Sequence, residues 1–310
     1  MYDSGSPNAI SKPKTNISLY SLQDLITGTS KSGIGAAVAT ALATASPNLL
    51  ILASRNESRV TPVLNDIKLN APHVKTVFVP LDFLDNTTIQ TAVDKVKTLT
   101  PKIDGLINNA GVMGAEAYTT SKQGVESQFA TNHLGPFLFT NLLLREGLIP
   151  EGAIIVNTGS LGYQLGEGGK DYHGWKAYGQ AKTAGLLFTW ALAKRLHGKD
   201  IPVLAVHPGV SQETQLWINS SIGQDWFMEA YKLAIERNGG NPLPPQHMRS
   251  MSQVAATILA ALLDPSVRDK SPSFWVEHRE MDPLPYANDP KIAEDLWALS
   301  EKLVGEKFEI

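Results

Sequence analysis

An apolar run that leads into a glycine-rich turn, and then into a helical pattern, is the feature that most constrains this chain. The run and turn span Leu25–Gly35, and the helical pattern follows from Ala36 to Ala45. Glycine permits a tight turn and a close approach of the backbone to a phosphate, while the first N–H groups of a helix attract anions. The order strand, turn, helix therefore predicts a dinucleotide-binding unit with contacts from Gly28, Ser30, Lys31, Gly33, Ile34 and Gly35.

Short β-like runs alternate with helical patterns as far as His207. The runs lie at 22–27, 49–54, 74–81, 103–108, 153–158 and 202–207, and the helical candidates at 34–45, 57–69, 86–98, 122–145 and 176–197. This alternation predicts an α/β fold, with a doubly wound parallel sheet of Rossmann type covered by helices on both faces. Gln23 and Asp24 fall inside the first predicted strand, where a central parallel strand is normally apolar.

Two stretches depart from this alternation. Residues 1–16 are rich in Ser, Pro, Asn and Lys, which predicts a flexible N-terminal tail before a single domain at 17–310. Residues 211–250 carry several aromatic side chains and a stretch rich in Gly and Pro. We interpret them as a helical substrate lid over the cleft, with a helix pair packed on the body of the domain as the alternative.

Composition excludes several classes of function. The chain has 27 Lys and Arg against 30 Asp and Glu, a net charge of −3 without a basic run, so nucleic acid is not expected as a partner. It has no cysteine, and its histidines lack zinc-site spacing, so no metal is predicted. No apolar stretch approaches the ~18 residues of a membrane span, and the N-terminus is too polar for a signal peptide. These features predict a soluble, cytoplasmic protein.

Charges after the second and third predicted strands bear on the choice of cofactor. Arg55 stands where a fold that prefers NAD usually has an acidic residue, and it suits a 2′-phosphate, with Lys31 as a second cation. NADP is therefore predicted, with NAD as the alternative; both cations could instead be solvated surface groups. Asp82 is placed to accept a hydrogen bond from an adenine amino group. Its alternative role is to cap the next helix, for which Asp85 is better placed.

The fourth predicted strand ends in two amides and two small residues, Asn108, Asn109, Ala110 and Gly111. The small residues would let the backbone pass beneath an adenosine ribose, while the amide side chains tie neighbouring strands together. As a turn signal alone, this sequence is ordinary.

The pattern Tyr-x-x-x-Lys occurs three times, at Tyr118/Lys122, Tyr172/Lys176 and Tyr178/Lys182. Residues four apart share a face only inside a helix. Tyr118 falls in a connection, and Tyr172 precedes two poor helix formers, whereas Tyr178 opens a long amphipathic pattern. Tyr178 is therefore the predicted proton donor and acceptor. Its pKa must fall by about three units for work as a base at neutral pH, which Lys182 and a cationic nicotinamide would favour.

A hydroxyl donor is also needed where negative charge develops on the substrate oxygen. Ser160, just after the fifth predicted strand, lies at the correct edge of the sheet for this role. Thr158 is one strand pitch earlier and is expected to lie inside.

Several motifs occur in one order: Thr-Gly-x(4)-Gly-Ile-Gly, Asn-Asn-Ala-Gly, Asn132 in Thr-Asn-His-Leu-Gly-Pro-Phe, Ser160, Tyr178-x-x-x-Lys182 and His207-Pro208-Gly209. Over about residues 20–310 the chain thereby resembles the short-chain dehydrogenase/reductase family, especially its retinol-dehydrogenase-like and fungal reductase branches. The resemblance implies an NAD(P)-dependent oxidoreductase with Ser160, Tyr178 and Lys182 as catalytic triad. It also implies a relay water on Asn132 and cofactor contacts from Pro208, Gly209 and Val210.

The same resemblance implies pairing through the helices at 122–145 and 176–197 into a homodimer or homotetramer. Two positions depart from the family pattern. Four residues, Thr29–Ser32, separate the first two glycines where three are usual, and the threonine expected four residues after Gly209 is displaced, with Glu213 there and Thr214 next.

The predicted reaction is hydride transfer between NADP(H) and a lipophilic carbonyl or alcohol, as in a ketoreductase of fungal secondary metabolism. The lipophilic substrate is predicted from residues around the expected cleft, namely Tyr163, Tyr172, Trp175, Trp217, Trp226, Phe227 and Met228. These side chains could instead anchor the lid. A catalytically silent dinucleotide-binding sensor or scaffold is the competing class, and a nucleotide-sugar epimerase is disfavoured because such chains usually have a larger sugar-binding domain.

Overall fold

Eight strands form one sheet in the computed structural model, which describes residues 22–166, 171–214, 216, 224–243 and 247–310. The predicted tail at 1–16 lies outside the described residues. The strands are β1 Gln23–Thr27, β2 Leu49–Ser54, β3 Lys75–Pro80, β4 Gly105–Asn108, β5 Ile154–Thr158, β6 Val203–His207, β7 Ser273–Val276 and β8 Arg279–Glu280. They lie in the order β3-β2-β1-β4-β5-β6-β7-β8.

All neighbouring pairs in this sheet are parallel except β7 and β8. The chain order reverses between β1 and β4, which makes the sheet doubly wound and confirms the predicted fold class. The described helices are α1 Ile34–Ala43, α2 Glu57–Asn70, α3 Asn86–Leu99, α4 Ser127–Phe129, α5 Gly135–Arg145, α6 Gly174–Arg195, α7 Gln224–Arg237, α8 Met251–Leu263, α9 Pro265–Arg268 and α10 Pro290–Val304.

Helices cover both faces of the sheet because successive strand residues point to opposite sides. In β1, Leu25 belongs to the apolar cluster that contains Phe137 of α5, and Ile26 belongs to the cluster that contains Val38 of α1 and Ile258 of α8. Within the described residues, no helix is long and apolar enough to cross a membrane.

Two polar residues of β1, Gln23 and Asp24, lie at the end of the strand opposite to the glycine turn. Gln23 accepts a hydrogen bond from the Thr100 hydroxyl, and its N–H donates to Asp104 Oδ2 at 2.9 Å. Asp24 is 1% exposed, and a Cβ on Gly105 of the neighbouring strand would collide with its carboxyl group. Burial, together with the negative charge of Asp104, raises the pKa of Asp24 to about 8. Glycine at 105 thus makes room for a buried acid.

The helix predicted at 122–145 begins later and in a different form. Glu126 accepts hydrogen bonds from the N–H groups of Gln128 and Phe129, so the helix begins at Ser127, and a π-helical segment, Ala130–Leu134, separates α4 from α5. The helix predicted at 176–197 begins at Gly174, because the His173 side chain accepts from the N–H of Lys176. Tyr178 therefore lies in the second turn of α6.

The C-terminal helix α10 covers part of the surface on which dimerisation was expected. Arg195 of α6 pairs with Glu294 at 2.6 Å, and its guanidinium lies 3.8 Å from the ring centroid of Trp297. The Trp297 ring also packs against Phe137 of α5 at 4.9 Å. Pairing directly through α5 and α6 would therefore require α10 to move, and the oligomeric state itself stays a prediction.

Candidate active site

A cavity of about 1470 Å³ opens along the carboxyl edge of the sheet. Loops that follow each of the strands β1 to β6 line it, as expected where the strand order of a doubly wound sheet reverses. We call one part the glycine end, lined by Gly28, Ser30, Gly33, Arg55 and Arg59, and the other the aromatic end, lined by Met113, Trp175, Phe227, Tyr231 and Leu243.

The glycine turn is held against the end of β4. Gly28 has φ +74°, and a Cβ there would lie 2.6 Å from the Ala110 Cα, so only glycine fits. The Asn109 amide donates to the carbonyl oxygens of Thr27 at 2.9 Å and of Gly28 at 3.1 Å. Ser32, the residue that lengthens the turn, has φ +61°, a left-handed conformation that costs roughly 1–2 kcal/mol outside glycine.

The other amide of the pair ties strands together, as the sequence predicted. Asn108 Nδ2 donates to Asn157 Oδ1 of β5 at 2.9 Å and to the Thr140 hydroxyl at the same distance. Asn157 in turn donates to Thr189 Oγ1 of α6 at 3.0 Å. The chain of hydrogen bonds joins β4, β5 and the helix that carries Tyr178.

Most of the predicted cofactor residues line the cavity: Gly28, Ser30, Gly33, Ile34, Arg55, Asn109, Ala110, Gly111, Tyr178, Lys182, Pro208, Gly209 and Val210. Three do not. Lys31 is exposed outside the cavity wall, and Gly35 is buried beneath the turn, where a Cβ would lie 2.6 Å from Asn109 Nδ2. The Asp82 carboxylate turns towards the start of α3 and accepts from the Leu84 N–H at 3.0 Å. Asp85, which the sequence indicated as the better placed of the two, caps that helix in place of Asp82.

Arg59 is a cavity residue that the sequence analysis missed. It lies in the first turn of α2, lines the glycine end with Arg55, and its carbonyl oxygen accepts from the Lys31 N–H at 2.8 Å. Neither guanidinium makes an ion pair with another described residue, so both are available to an anion. Its position in the first turn of the helix that follows β2, at the carboxyl edge of the sheet, was the signal that could have identified Arg59.

Ser160, Tyr178 and Lys182 meet between the two ends of the cavity. The Ser160 and Tyr178 side chains are hydrogen-bonded, and Ser160 Oγ also accepts from the Gly162 N–H at 3.0 Å. Lys182 Nζ donates to the Thr158 carbonyl oxygen at 2.9 Å and lies 5.8 Å from the centroid of the Tyr178 ring. All three line the cavity, and Tyr178 is only 5% exposed.

Burial sets the protonation of this group. It raises the pKa of Tyr178 to about 12, against a smaller lowering by the hydrogen bond with Ser160. It lowers the pKa of Lys182 to about 8. The sequence predicted that the pKa of Tyr178 is lowered. In the protein alone it is raised instead, because the effect of burial is larger than that of the hydrogen bond with Ser160. At neutral pH, Tyr178 is a phenol and can donate a proton.

Asn132 lies in the π-helical segment and bridges it to the loop after β4. Its Oδ1 accepts from the Val112 N–H at 3.0 Å, and its Nδ2 donates to the Val112 carbonyl at 2.9 Å. A Cβ on Gly111 would lie 2.6 Å from Asn132 Oδ1 and 3.8 Å from Lys182 Nζ, so glycine keeps open the space between these two side chains. The relay water stays a prediction.

Some of the aromatic residues predicted around the cleft line the cavity, and others do not. Trp175 and Phe227 line the cavity, but Tyr163 does not, because it packs against Phe274 and accepts from the Leu284 N–H. Tyr172 lies behind the cavity wall, hydrogen-bonded to Ala115 and Gln128, and Met228 is 40% exposed and outside the lining. Trp217 and the Trp226 side chain lie outside the described residues. Thr214, the displaced threonine, lines the cavity.

The chain is similar to known proteins over the region that forms the sheet and the cavity. A model of the short chain dehydrogenase family matches residues 24–224, which include the glycine turn and the three candidate catalytic side chains. Retinol dehydrogenase 12 of Mus musculus is 32% identical over 302 residues, 95% of this chain and 90% of that protein. The chloroplastic short-chain dehydrogenase TIC 32 A of Brassica napus is 32% identical over 319 residues, 97% of this chain and 94% of that protein.

Solved structures share the fold. A short-chain dehydrogenase from Burkholderia cenocepacia J2315, crystallised in complex with NADP, matches with a TM-score of 0.62 and 24% identity, over 84% of this chain and 98% of that one.

Proposed function

Because this chain belongs to the short-chain dehydrogenase family, and is thus an oxidoreductase, we propose that it reduces lipophilic aldehydes or ketones with NADPH and catalyses the reverse oxidation. One observation carries the proposal: Ser160, Tyr178 and Lys182 meet in a cavity that joins an arginine-lined glycine end to an aromatic end. The described residues thus combine a place for a dinucleotide, a proton donor and an apolar substrate site.

The glycine end fits a nicotinamide dinucleotide phosphate. Gly33 caps α1 without a side-chain hydrogen bond, so the first N–H groups of the helix remain for a diphosphate. Arg55 and Arg59 suit a 2′-phosphate, because a guanidinium donates two parallel hydrogen bonds to it. The relative from Burkholderia cenocepacia is described as a complex with NADP, which supports the same choice here.

The catalytic side chains then divide the work. The bound dinucleotide supplies the hydride. The Tyr178 phenol donates its proton to the substrate oxygen, and the Ser160 hydroxyl donates a hydrogen bond to that oxygen as it becomes negative. The Lys182 ammonium, held by the Thr158 carbonyl oxygen, favours transient phenolate at Tyr178 and passes a proton back to it. In oxidation the steps reverse, and Tyr178 accepts the proton.

The aromatic end favours a neutral, lipophilic substrate. The cavity-lining arginines of the described residues lie at the glycine end, and the ionisable group nearest in sequence to Met113 is an acid, Glu116. A small anionic substrate would therefore find no arginine among the described residues that line the aromatic end. The name of the mouse relative, retinol dehydrogenase 12, supports a long apolar substrate, and retinal belongs among the first compounds to test.

Residues 211–250 are proposed to form the substrate lid. Ala230 and Ala234 of α7 are buried against Leu165 and Trp175. Phe227, Tyr231, Leu243 and Met248, from α7 and the segment after it, line the cavity, which supports a lid rather than a helix pair that only packs on the body.

The proposal is tested by following NADPH absorbance with a panel of all-trans-retinal, decanal, propanal and pyruvate. We expect turnover of retinal or decanal with a KM well below that for propanal or pyruvate. Preference for pyruvate would contradict the substrate class. NADPH binding without turnover of any carbonyl would favour the silent sensor or scaffold instead.

A further inference from the structure

The loop at 112–120 forms one wall of the cavity beside the catalytic tyrosine. Val112, Met113, Ala115, Glu116, Ala117 and Thr119 line the cavity. Met113 packs in the apolar cluster that contains Tyr178, Trp175 and Phe227. The position of this loop therefore determines the shape of the aromatic end next to the reacting atoms.

The loop is tied firmly at its two ends. At the start, the Asn132 amide makes two hydrogen bonds with the Val112 backbone. At the end, the Thr119 hydroxyl donates to Ser127 Oγ at 2.9 Å, and the Thr119 carbonyl oxygen accepts from the Ser127 N–H at the same distance. Residues 113–118 lie between these anchors. Among the described residues, one hydrogen bond joins this middle part to the rest of the chain: the Tyr172 O–H donates to the Ala115 carbonyl oxygen at 3.0 Å.

Tyr172 is itself held in place from two sides. Its oxygen accepts from Gln128 Nε2 at 3.1 Å, and the same fully buried amide donates to the Gly174 carbonyl oxygen at 2.8 Å, where α6 begins. Its ring meets the Tyr118 ring edge-to-face at 5.4 Å. Burial and the charge of Glu126, whose Oε1 lies 3.4 Å from the Tyr172 oxygen as a second acceptor, raise the pKa of Tyr172 to about 12, so its hydroxyl stays a donor throughout the neutral range.

We propose that Tyr172 is a positioning residue, which fixes the middle of the 112–120 loop and thereby sets the affinity of the aromatic end for bulky carbonyl substrates. It touches neither the reacting atoms nor the glycine end, so it acts through Ala115 and Met113. Tyr118 and Tyr172, which both belong to the repeated Tyr-x-x-x-Lys pattern, thus meet at this loop. The loop faces Tyr178, the third tyrosine of the pattern. The kinetic part of this inference rests on the proposed reductase function.

Tyr172→Phe removes the hydroxyl and keeps the ring. Tyr118→Phe is the matched control, because it removes the same atom from the other ring, whose hydroxyl makes no hydrogen bond with a described residue. In Tyr172→Phe, loss of the part-buried hydrogen bonds of this hydroxyl with Ala115, Glu126 and Gln128 is expected to raise KM for decanal roughly 5- to 20-fold. Its kcat and its Kd for NADPH should stay within about threefold, as expected when uniform substrate binding is lost. Tyr118→Phe should match the wild type.

Hydrogen–deuterium exchange gives a readout that does not depend on turnover. Exchange of the 112–120 peptide should become faster in Tyr172→Phe and remain unchanged in Tyr118→Phe, while peptides from β4 and α6 exchange as in the wild type. Unchanged loop exchange would overturn the proposal, and so would faster exchange across the whole chain, because that indicates general destabilisation. An unchanged KM with a loss of kcat as large as in Tyr178→Phe would make Tyr172 catalytic instead. If the wild type reduces no carbonyl, the proposed function fails, and the exchange result still decides whether Tyr172 holds the loop.

Discussion

Replacing Asp24 by Asn should stabilise the protein, and by more as the pH rises. The acid is 1% exposed, its Oδ2 makes no hydrogen bond with a described residue, and burial, then the charge of Asp104, raises its pKa from 3.8 to about 8. The folded state therefore keeps a proton that the unfolded chain releases from about pH 4 upwards. Each pH unit in this window costs about 1.4 kcal/mol of folding free energy, which amounts to about 4 kcal/mol at pH 7.

Asn has nearly the same shape and no proton to release, so Asp24→Asn removes this cost. We expect little difference from the wild type near pH 4 and a gain of about 3–4 kcal/mol in the free energy of unfolding near pH 7. Urea denaturation followed by circular dichroism, repeated across this pH range, measures the difference. Asp94→Asn, at an exposed position of α3, is the control for loss of one negative charge. A gain that does not vary with pH, or a loss of stability at pH 7, would refute the reasoning.

Three further predictions concern the cofactor, the proton supply and the assembly. Arg55→Asp should weaken NADPH binding at least tenfold and improve relative use of NADH, because a charge-assisted contact with the 2′-phosphate becomes repulsive. Equal affinity of the wild type for NADPH and NADH in fluorescence titrations would contradict this prediction. Burial lowers the pKa of Lys182 to about 8. Because the ammonium form supplies the proton, kcat/KM for reduction should be level near neutral pH and fall as the pH rises through about 8. A profile that stays flat well above that pH would contradict the role of Lys182. Because α10 covers α5 and α6, light scattering should report a monomer; a homodimer or homotetramer would contradict this expectation and support the pairing that the family resemblance implies.

The sheet was predictable because its signal is local. The residues of β2 are all buried, and the run at 49–54 in the sequence matches the strand without change. The choice among three Tyr-x-x-x-Lys pairs also depended on a local signal, because only Tyr178 and Lys182 lie together within a long helical pattern. Helix starts were less accurate, because capping by Glu126 and His173 depends on side-chain geometry that the pattern of apolar residues does not report.

Features that depend on distant residues were not predictable. Asp24 has room only because Gly105, on the neighbouring strand, lacks a side chain. The covering of α5 by α10 depends on contact between Phe137 and Trp297, which are far apart in the sequence. The role of Tyr172 likewise appears only when the loop around Ala115 is seen to fold back on it.

The most direct test of the account is Tyr178→Phe, measured in two ways on the same preparation. NADPH binding, followed by fluorescence, should stay within about twofold, because the phenol oxygen is not part of the glycine end. Turnover of decanal or retinal should fall by roughly 10²- to 10⁴-fold, the range expected when a positioned general acid is removed. Full activity in Tyr178→Phe, with loss of activity in Tyr172→Phe, would contradict the assignment of the proton donor.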